Sequence, residues 1–188
     1  MHDPVFILGS HKSGTSLLRN LLDGVDGFFA IPSELHFFEY SGLWVDYPIR
    51  RSLPVNPGFD QVKRRILTAI EKSNQGASGS GKFGGDSLVK AGKWDIQHLI
   101  AHLDQYGKPA FEKKDLRGFI DVYVESVHLA LQGELPPEGT RFVEKSVENA
   151  EFAALIKKLY PGAKFVHIVR NPYAALVSIR KFKPYKGK

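Results

Sequence analysis

Cysteine does not occur in this sequence of 188 residues, and methionine occurs once. The first absence excludes disulfides and thiolate-held metals while leaving the compartment open. No apolar run approaches the ~20 residues needed to cross a bilayer, and the opening Met-His-Asp-Pro is no signal peptide. A cytoplasmic protein without a membrane span is the expectation. Acidic residues are missing from 152–188, which holds nine of the 26 Lys and Arg; the other 17 face all 20 Asp and Glu. The formal charge of +6 therefore belongs to the C-terminal part. Its basic residues lie beside apolar strand and helix patterns, which favours a folded anion site over a loose nucleic-acid-binding arm.

What is present has the composition of an ordinary globular protein, 43% hydrophobic and 24% charged, and the length of one domain over 1–188. Its organising stretch is Gly9-Ser10-His11-Lys12-Ser13-Gly14-Thr15-Ser16. Val5 to Leu8 before it is a short uninterrupted β-former. Leu17, Leu18, Leu21 and Leu22 after it fall at helical spacing, and Gly24 stops the helix. Strand, glycine-bounded turn and helix together aim backbone N–H groups and the positive end of a helix dipole at one spot, which suits a phosphate or sulfate. Lys12, Ser13, Thr15 and Ser16 add side-chain donors. The nucleoside-triphosphate P-loop instead has Lys-Ser/Thr directly after its second glycine. Here Thr15-Ser16 follows Gly14, and no magnesium-binding Asp follows the later apolar strand.

Further along, 25–31 reads as a turn into a second strand, and Pro32-Ser33-Glu34 as a helix start. Residues 60–74, 95–106, 115–131 and 148–160 read as helices. Residues 41–140 are thus a mainly helical insertion, with a flexible Gly/Ser-rich loop at 75–93. Gly76 to Phe83 in that loop mimics a P-loop, but no strand precedes it and Phe83 stands where Ser or Thr is needed. His98 and His102 have the i, i+4 spacing of a metal pair, yet nothing around them completes a zinc site. No metal site is expected. Arg141 to Lys145 and Lys164 to Val169 read as strands, the second of them buried. Asn171 and Pro172 then cap and open a helix from Tyr173 to about Phe182. Alternating strands and helices argue a three-layer α/β/α domain with a central parallel sheet, whose ligands bind at the strands' carboxyl ends. Lys12, Lys145 and Arg170 each follow such an end. If their strands are neighbours, three cations meet on one rim. Taken singly, Lys145 reads equally well as a surface lysine and Arg170 as a core-edge residue paired with a carboxylate. Trp44 and Trp94 read as core residues.

Four segments resemble the sulfotransferases that use 3′-phosphoadenosine 5′-phosphosulfate (PAPS). His11-Lys12-Ser13-Gly14-Thr15-Ser16-Leu17-Leu18-Arg19 is similar to their 5′-phosphosulfate loop. Lys164 to Pro172 with Ser178 is similar to the 3′-phosphate motif, an apolar strand ending in Arg-Asp/Asn-Pro with a serine eight residues past the arginine. Ala30 to Phe38 resembles the glutamate-bearing segment of the bacterial and tyrosylprotein-type branch, and Glu144-Lys145-Ser146 its Glu-Lys-Thr/Ser-Pro segment. His11 and Val147 stand where many relatives have proline, and Asn171 where they have Asp. The chain ends soon after the 3′-phosphate motif, so a fragment, a truncated gene product or a minimal member is expected, without the family's closing basic loop.

The resemblance implies a P-loop-like sulfotransferase architecture and metal-independent, in-line transfer of a sulfuryl group from PAPS to an acceptor hydroxyl or amine. The product left behind is 3′,5′-adenosine diphosphate. Ser13, Gly14, Thr15 and Ser16 are then the 5′-phosphate binders, and Arg170 and Ser178 those of the 3′-phosphate. Lys12 stabilises the leaving oxygen, and Lys145 reaches the sulfuryl oxygens. Glu34 is the candidate general base, with His36 second. A first-turn carboxylate placed by the helix dipole is the bland alternative for Glu34. The acceptor stays open among carbohydrate, lipid, peptide and small alcohol, and no nucleic-acid partner is expected. The competing readings are a P-loop-like kinase and a non-catalytic anion- or nucleic-acid-binding module.

Overall fold

The computed structural model describes residues 2–41, 57–78 and 94–180. Four strands, β1 (Val5–Gly9), β2 (Phe28–Ala30), β3 (Arg141–Glu144) and β4 (Lys164–Ile168), form one sheet in the order β2-β3-β1-β4. Every pairing is parallel, from Phe28 opposite Arg141, through Val5 opposite Val143, to Gly9 opposite Ile168. The α/β fold with a central parallel sheet expected from the sequence is the one observed.

Alternation along the strands sends side chains to two faces. Val5, Ile7, Ala30 and Val143 point to one face, where α1 (Thr15–Leu22) lays Leu18 and Leu22 over them. Phe6, Leu8, Phe29 and Phe142 point to the other. There they meet Phe119, Val124 and Val127 of α6 (Leu116–Gln132) and Ile156 of α7 (Ala153–Leu159). Phe6 packs edge-on against Phe142 with centroids 5.8 Å apart. Burial of side chains this size contributes roughly 1.5–3 kcal/mol each, so this second face holds most of the core. Helices α2 (Phe37–Tyr40), α3 (Phe59–Ser78), α4 (Ile96–His102) and α5 (Lys108–Glu112) extend it, through Phe38, Val62, Ile66 and Leu99. Trp94 is buried there too; Trp44 lies outside the described residues.

Several expectations are corrected. No helix starts at Pro32-Ser33; α2 begins at Phe37, after His36 has adopted a left-handed conformation with φ 48°. The helix expected from Glu148 opens as a 3-10 turn over Val147–Ala150 and becomes α7 at Ala153. The helix expected over 95–106 does not stop there: α4 passes into a π-turn over Leu103–Gly107 that runs into α5, and a side chain at Gly107 would meet Leu103 and Phe119 at 3.2 and 3.3 Å. Helix α3 continues through Gly76 to Ser78, so 75–78 are not loop; residues 79–93 lie outside the described ones. Strand β4 is not buried: it takes the sheet edge, with Lys164, Val166 and His167 exposed. Apolar strands read alike at the edge and in the middle, and only the strand order separates them. Helix α8 (Pro172–Arg180) follows, with Asn171 Oδ1 accepting from the Tyr173 amide at 2.9 Å. No helix among the described residues is long and apolar enough to cross a membrane.

Candidate active site

The order β3-β1-β4 puts three strand ends side by side, and each is followed by a cation: Lys145, Lys12 and Arg170. Between them lies a cleft of about 370 Å³. The loop after β1 supplies Lys12, Gly14, Thr15 and Ser16 to its lining. Glu34 comes from the segment after β2, Lys145 and Val147 from that after β3, and Arg170 and Ser178 from β4's far end and α8. His11, Leu17 and Asn20 complete the wall.

The loop has its shape because glycine stands at both ends. Gly9 has φ +156°, and a Cβ there would meet Ser13 Oγ at 2.8 Å and the Ile168 carbonyl at 2.9 Å. The loop can therefore close down on the end of β4. Gly14 precedes α1 with φ 111° and offers no side-chain cap, which leaves the first-turn amides of α1 without a capping side chain. Ser13 Oγ is buried, and no hydrogen-bond partner is found for it among the described residues. An unsatisfied hydroxyl beside an uncapped helix start is a donor set suited to an anion such as a phosphate. Arg170, exposed on the far rim, reaches back so that its Nη1 donates to the Lys12 carbonyl at 2.7 Å. That bond brings segments 158 positions apart to the same point.

On the opposite wall Lys145 Nζ pairs with Glu34 Oε1. The lysine side chain is only 4% exposed and the glutamate 22%, so the pair sits at the edge of solvent. His36 stands behind Glu34 and does not line the cleft. Its Nε2 lies 3.3 Å from Glu34 Oε2 and its Nδ1 2.8 Å from Glu148 Oε1, with Glu39 at 3.8 Å. Burial disfavours the imidazolium, but the hydrogen bond and charge of Glu148 and the charges of Glu34 and Glu39 outweigh it. They lift the His36 pKa to about 9. A histidine that is already protonated at neutral pH cannot accept a proton there, which leaves Glu34 ahead of it as a base.

On the helix expected from Pro32-Ser33, residues two apart such as Glu34 and His36 would face different directions. They touch instead, because 31–36 is not helical and the left-handed turn at His36 folds its ring back. Glu148 was missed. Its spacing of four from Glu144 was visible, but only the fold brings it to a histidine 112 positions away. Asn20 was missed too, although it follows Ser16 at i+4 on the same face of α1. Glu34, His36 and Glu148 offer ligand atoms within 4.8 Å of one another. Lys145 already pairs with Glu34 there, and His36 faces a carboxylate at each ring nitrogen. The two histidines at i, i+4 spacing meet different surroundings. His98 is exposed beside Asp95 at 3.2 Å, while His102 is buried against Ser126 at 3.0 Å, its pKa lowered by burial.

A parallel α/β sheet with an anion loop after its first strand and cations at three neighbouring strand ends defines a class of phosphate- and sulfate-handling proteins. Within that class, a family model described as the sulfotransferase family matches residues 4–186. The chain belongs to the sulfotransferase family. No curated protein and no solved structure matches it.

Proposed function

We propose that this protein transfers a sulfuryl group from PAPS to an acceptor hydroxyl or amine, without a metal ion. When bound, PAPS supplies the activated sulfuryl group and leaves as 3′,5′-adenosine diphosphate. The residues present fit such a ligand: an uncapped helix start, a buried hydroxyl with no partner found, and cations on two sides of one cleft. The loop amides with Ser13, Thr15 and Ser16 hold the 5′-phosphate. Arg170 and Ser178 grip the 3′-phosphate, a guanidinium matching phosphate geometry. Lys12 is the donor placed where charge develops on the leaving oxygen, and such fixed donors need not reorganise as it appears. Lys145 neutralises the sulfuryl oxygens. Glu34 takes the acceptor's proton as that group attacks.

The observation that carries this reading is the Arg170–Lys12 hydrogen bond, because it brings the residue proposed for the 3′-phosphate against the loop proposed for the 5′-phosphate. Isothermal calorimetry with 3′,5′-adenosine diphosphate and with 5′-AMP tests it. The former binds at least about tenfold tighter, and the preference disappears in Arg170→Ala, as expected when a charge-assisted phosphate contact is lost. Equal, weak binding of both nucleotides overturns the reading. Association with DNA that falls steeply with salt supports the non-catalytic module instead.

A further inference from the structure

We propose that Glu144 is a positioning residue, whose buried carboxylate clamps the segment carrying Glu34 to the segment carrying Lys145. The inference rests on the sulfotransferase reading above. Glu144 ends β3 and is 3% exposed. Its Oε1 accepts the Leu35 amide at 3.1 Å, the Ser146 amide at 3.0 Å and the Ser146 hydroxyl. Its Oε2 accepts the Ser146 amide at 3.0 Å and Asn149 Nδ2. Ser146 Oγ in turn accepts the His36 amide at 3.1 Å. Two consecutive amides of one segment are thus taken by two residues of the other.

Leu35 lies between Glu34 and His36, and Lys145 between Glu144 and Ser146. The clamp therefore fixes the peptide that follows Glu34 and the peptide that follows Lys145, while leaving those side chains to the cleft. The Tyr123 hydroxyl, donating to the Leu35 carbonyl at 3.4 Å, and Arg19 Nη1, donating to the Pro32 carbonyl at 2.6 Å, brace the same segment from other directions. Burial raises the Glu144 carboxyl pKa, and the Ser146 hydroxyl and amide oppose that rise. A carboxylate sunk this deep is expensive unless its lone pairs are used, and here both oxygens are. The 5′-phosphate loop and Arg170 make none of these contacts. That separates positioning of the proton acceptor from binding of the nucleotide.

Glu144→Gln tests the clamp, because it turns one acceptor oxygen into a donor that must face the Leu35 and Ser146 amides or the Asn149 side chain. Three measurements are made on wild type and variant: calorimetric affinity for 3′,5′-adenosine diphosphate, its release from PAPS, and amide hydrogen exchange. 4-Nitrophenol, a primary alcohol and a primary amine serve as acceptors. Turnover falls about 100-fold, the cost expected of a misplacement near 1 Å, while nucleotide affinity stays within about threefold. Exchange at the Leu35 and His36 amides rises at least about tenfold, and β1 amides are unaffected. Ser146→Ala lowers turnover about tenfold and Ser146→Thr, which keeps the hydroxyl, retains most of it. Should Glu144→Gln not fold, the Ser146 pair and Asn149→Ala carry the same readouts. Wild-type turnover and exchange in these variants overturn the proposal, as does a nucleotide affinity that falls in step with turnover. If the wild type itself neither binds the nucleotide nor releases it from PAPS, the sulfotransferase reading fails. The exchange comparison still decides the clamp.

Discussion

Glu34 and Lys145 stand 111 positions apart in the chain and form an ion pair on one wall of the cleft. In the proposed reaction they are the proton acceptor and a cation for the sulfuryl oxygens, and here each occupies the other. An anionic donor competes with the carboxylate for Lys145, and drawing the ammonium away frees Glu34 for the acceptor. On the proposed mechanism, donor binding and readiness of the base are coupled through one lysine.

Glu34→Gln separates the two roles. Turnover falls about 10²- to 10⁴-fold, the range for losing a general base, while affinity for 3′,5′-adenosine diphosphate, which carries no sulfuryl group for Lys145, holds. The variant also melts earlier. Stranding one member of a fully buried pair costs about 3–5 kcal/mol, and with Glu34 22% exposed roughly 1–3 kcal/mol is expected here. Thermal unfolding beside a PAPS turnover assay checks both. Unchanged turnover takes the base role from Glu34 and hands it to His36 or to water.

The charge on His36 makes stability depend on pH. Its pKa is about 9 in the folded protein against an ordinary 6.5, so folding favours the protonated form. The stabilisation is complete below pH 6.5, declines between 6.5 and about 9, and is gone above that. Allowing for partial exposure, it amounts to roughly 2 kcal/mol. His36→Asn tolerates the left-handed backbone and lacks the charge. Denaturant unfolding at pH 6 and pH 10 then shows a smaller loss in the variant than in the wild type. Equal losses in both remove the imidazolium from the account.

Gly9 and Gly27 both have positive φ, 156° and 77°, but only Gly9 is crowded. Gly27→Ala puts its methyl into open space and costs about 1 kcal/mol of backbone strain, with nucleotide affinity unchanged. Gly9→Ala drives a methyl against Ser13 Oγ and a main-chain oxygen of β4. The loop and the strand end must separate, and Arg170 goes with the strand end. Affinity for 3′,5′-adenosine diphosphate falls by about tenfold or more, the equivalent of ~1.4 kcal/mol. Calorimetry on the two variants distinguishes a loop that must touch β4 from one that merely turns.

What could be read from the sequence was whatever local chemistry imposes. The run Val5 to Leu8 followed by two spaced glycines forces strand, turn and helix, and Arg170-Asn171-Pro172 forces a strand end and a capped helix. Meeting of the three cations depended only on strand order. The clamp was not legible, because Glu144 acts on Leu35 over 109 positions and nothing near either residue announces the other. The false helix start at Pro32-Ser33 has the same origin. Local preference favoured a helix, while the Leu35 and His36 amides found tertiary acceptors in Glu144 and Ser146. Exposure of β4 was partly legible, since β4 carries Lys164 and His167 where β1 is wholly apolar, but its edge position among the described strands was set by the strand order.

Magnesium dependence is where the kinase and sulfotransferase readings part most sharply. A P-loop kinase relies on a metal ion to bridge phosphate oxygens and neutralise developing charge. In this cleft Lys12, Lys145 and Arg170 approach from three neighbouring strand ends, supplying positive charge from side chains. Thr15-Ser16 follows Gly14, so no Lys-Ser/Thr pair stands directly after the second glycine, where a P-loop couples to its metal. Affinity for 3′,5′-adenosine diphosphate and PAPS turnover are therefore expected to be the same in EDTA as in millimolar Mg²⁺, within about twofold, since free Mg²⁺ only screens the nucleotide's charge. ATP, lacking a 3′-phosphate for Arg170 and Ser178, binds at least about tenfold more weakly than 3′,5′-adenosine diphosphate in either condition. Binding that vanishes in EDTA and returns with Mg²⁺, with ATP preferred, reverses the choice: the loop around Lys12 then serves a triphosphate, and Arg170 no longer marks a 3′-phosphate site.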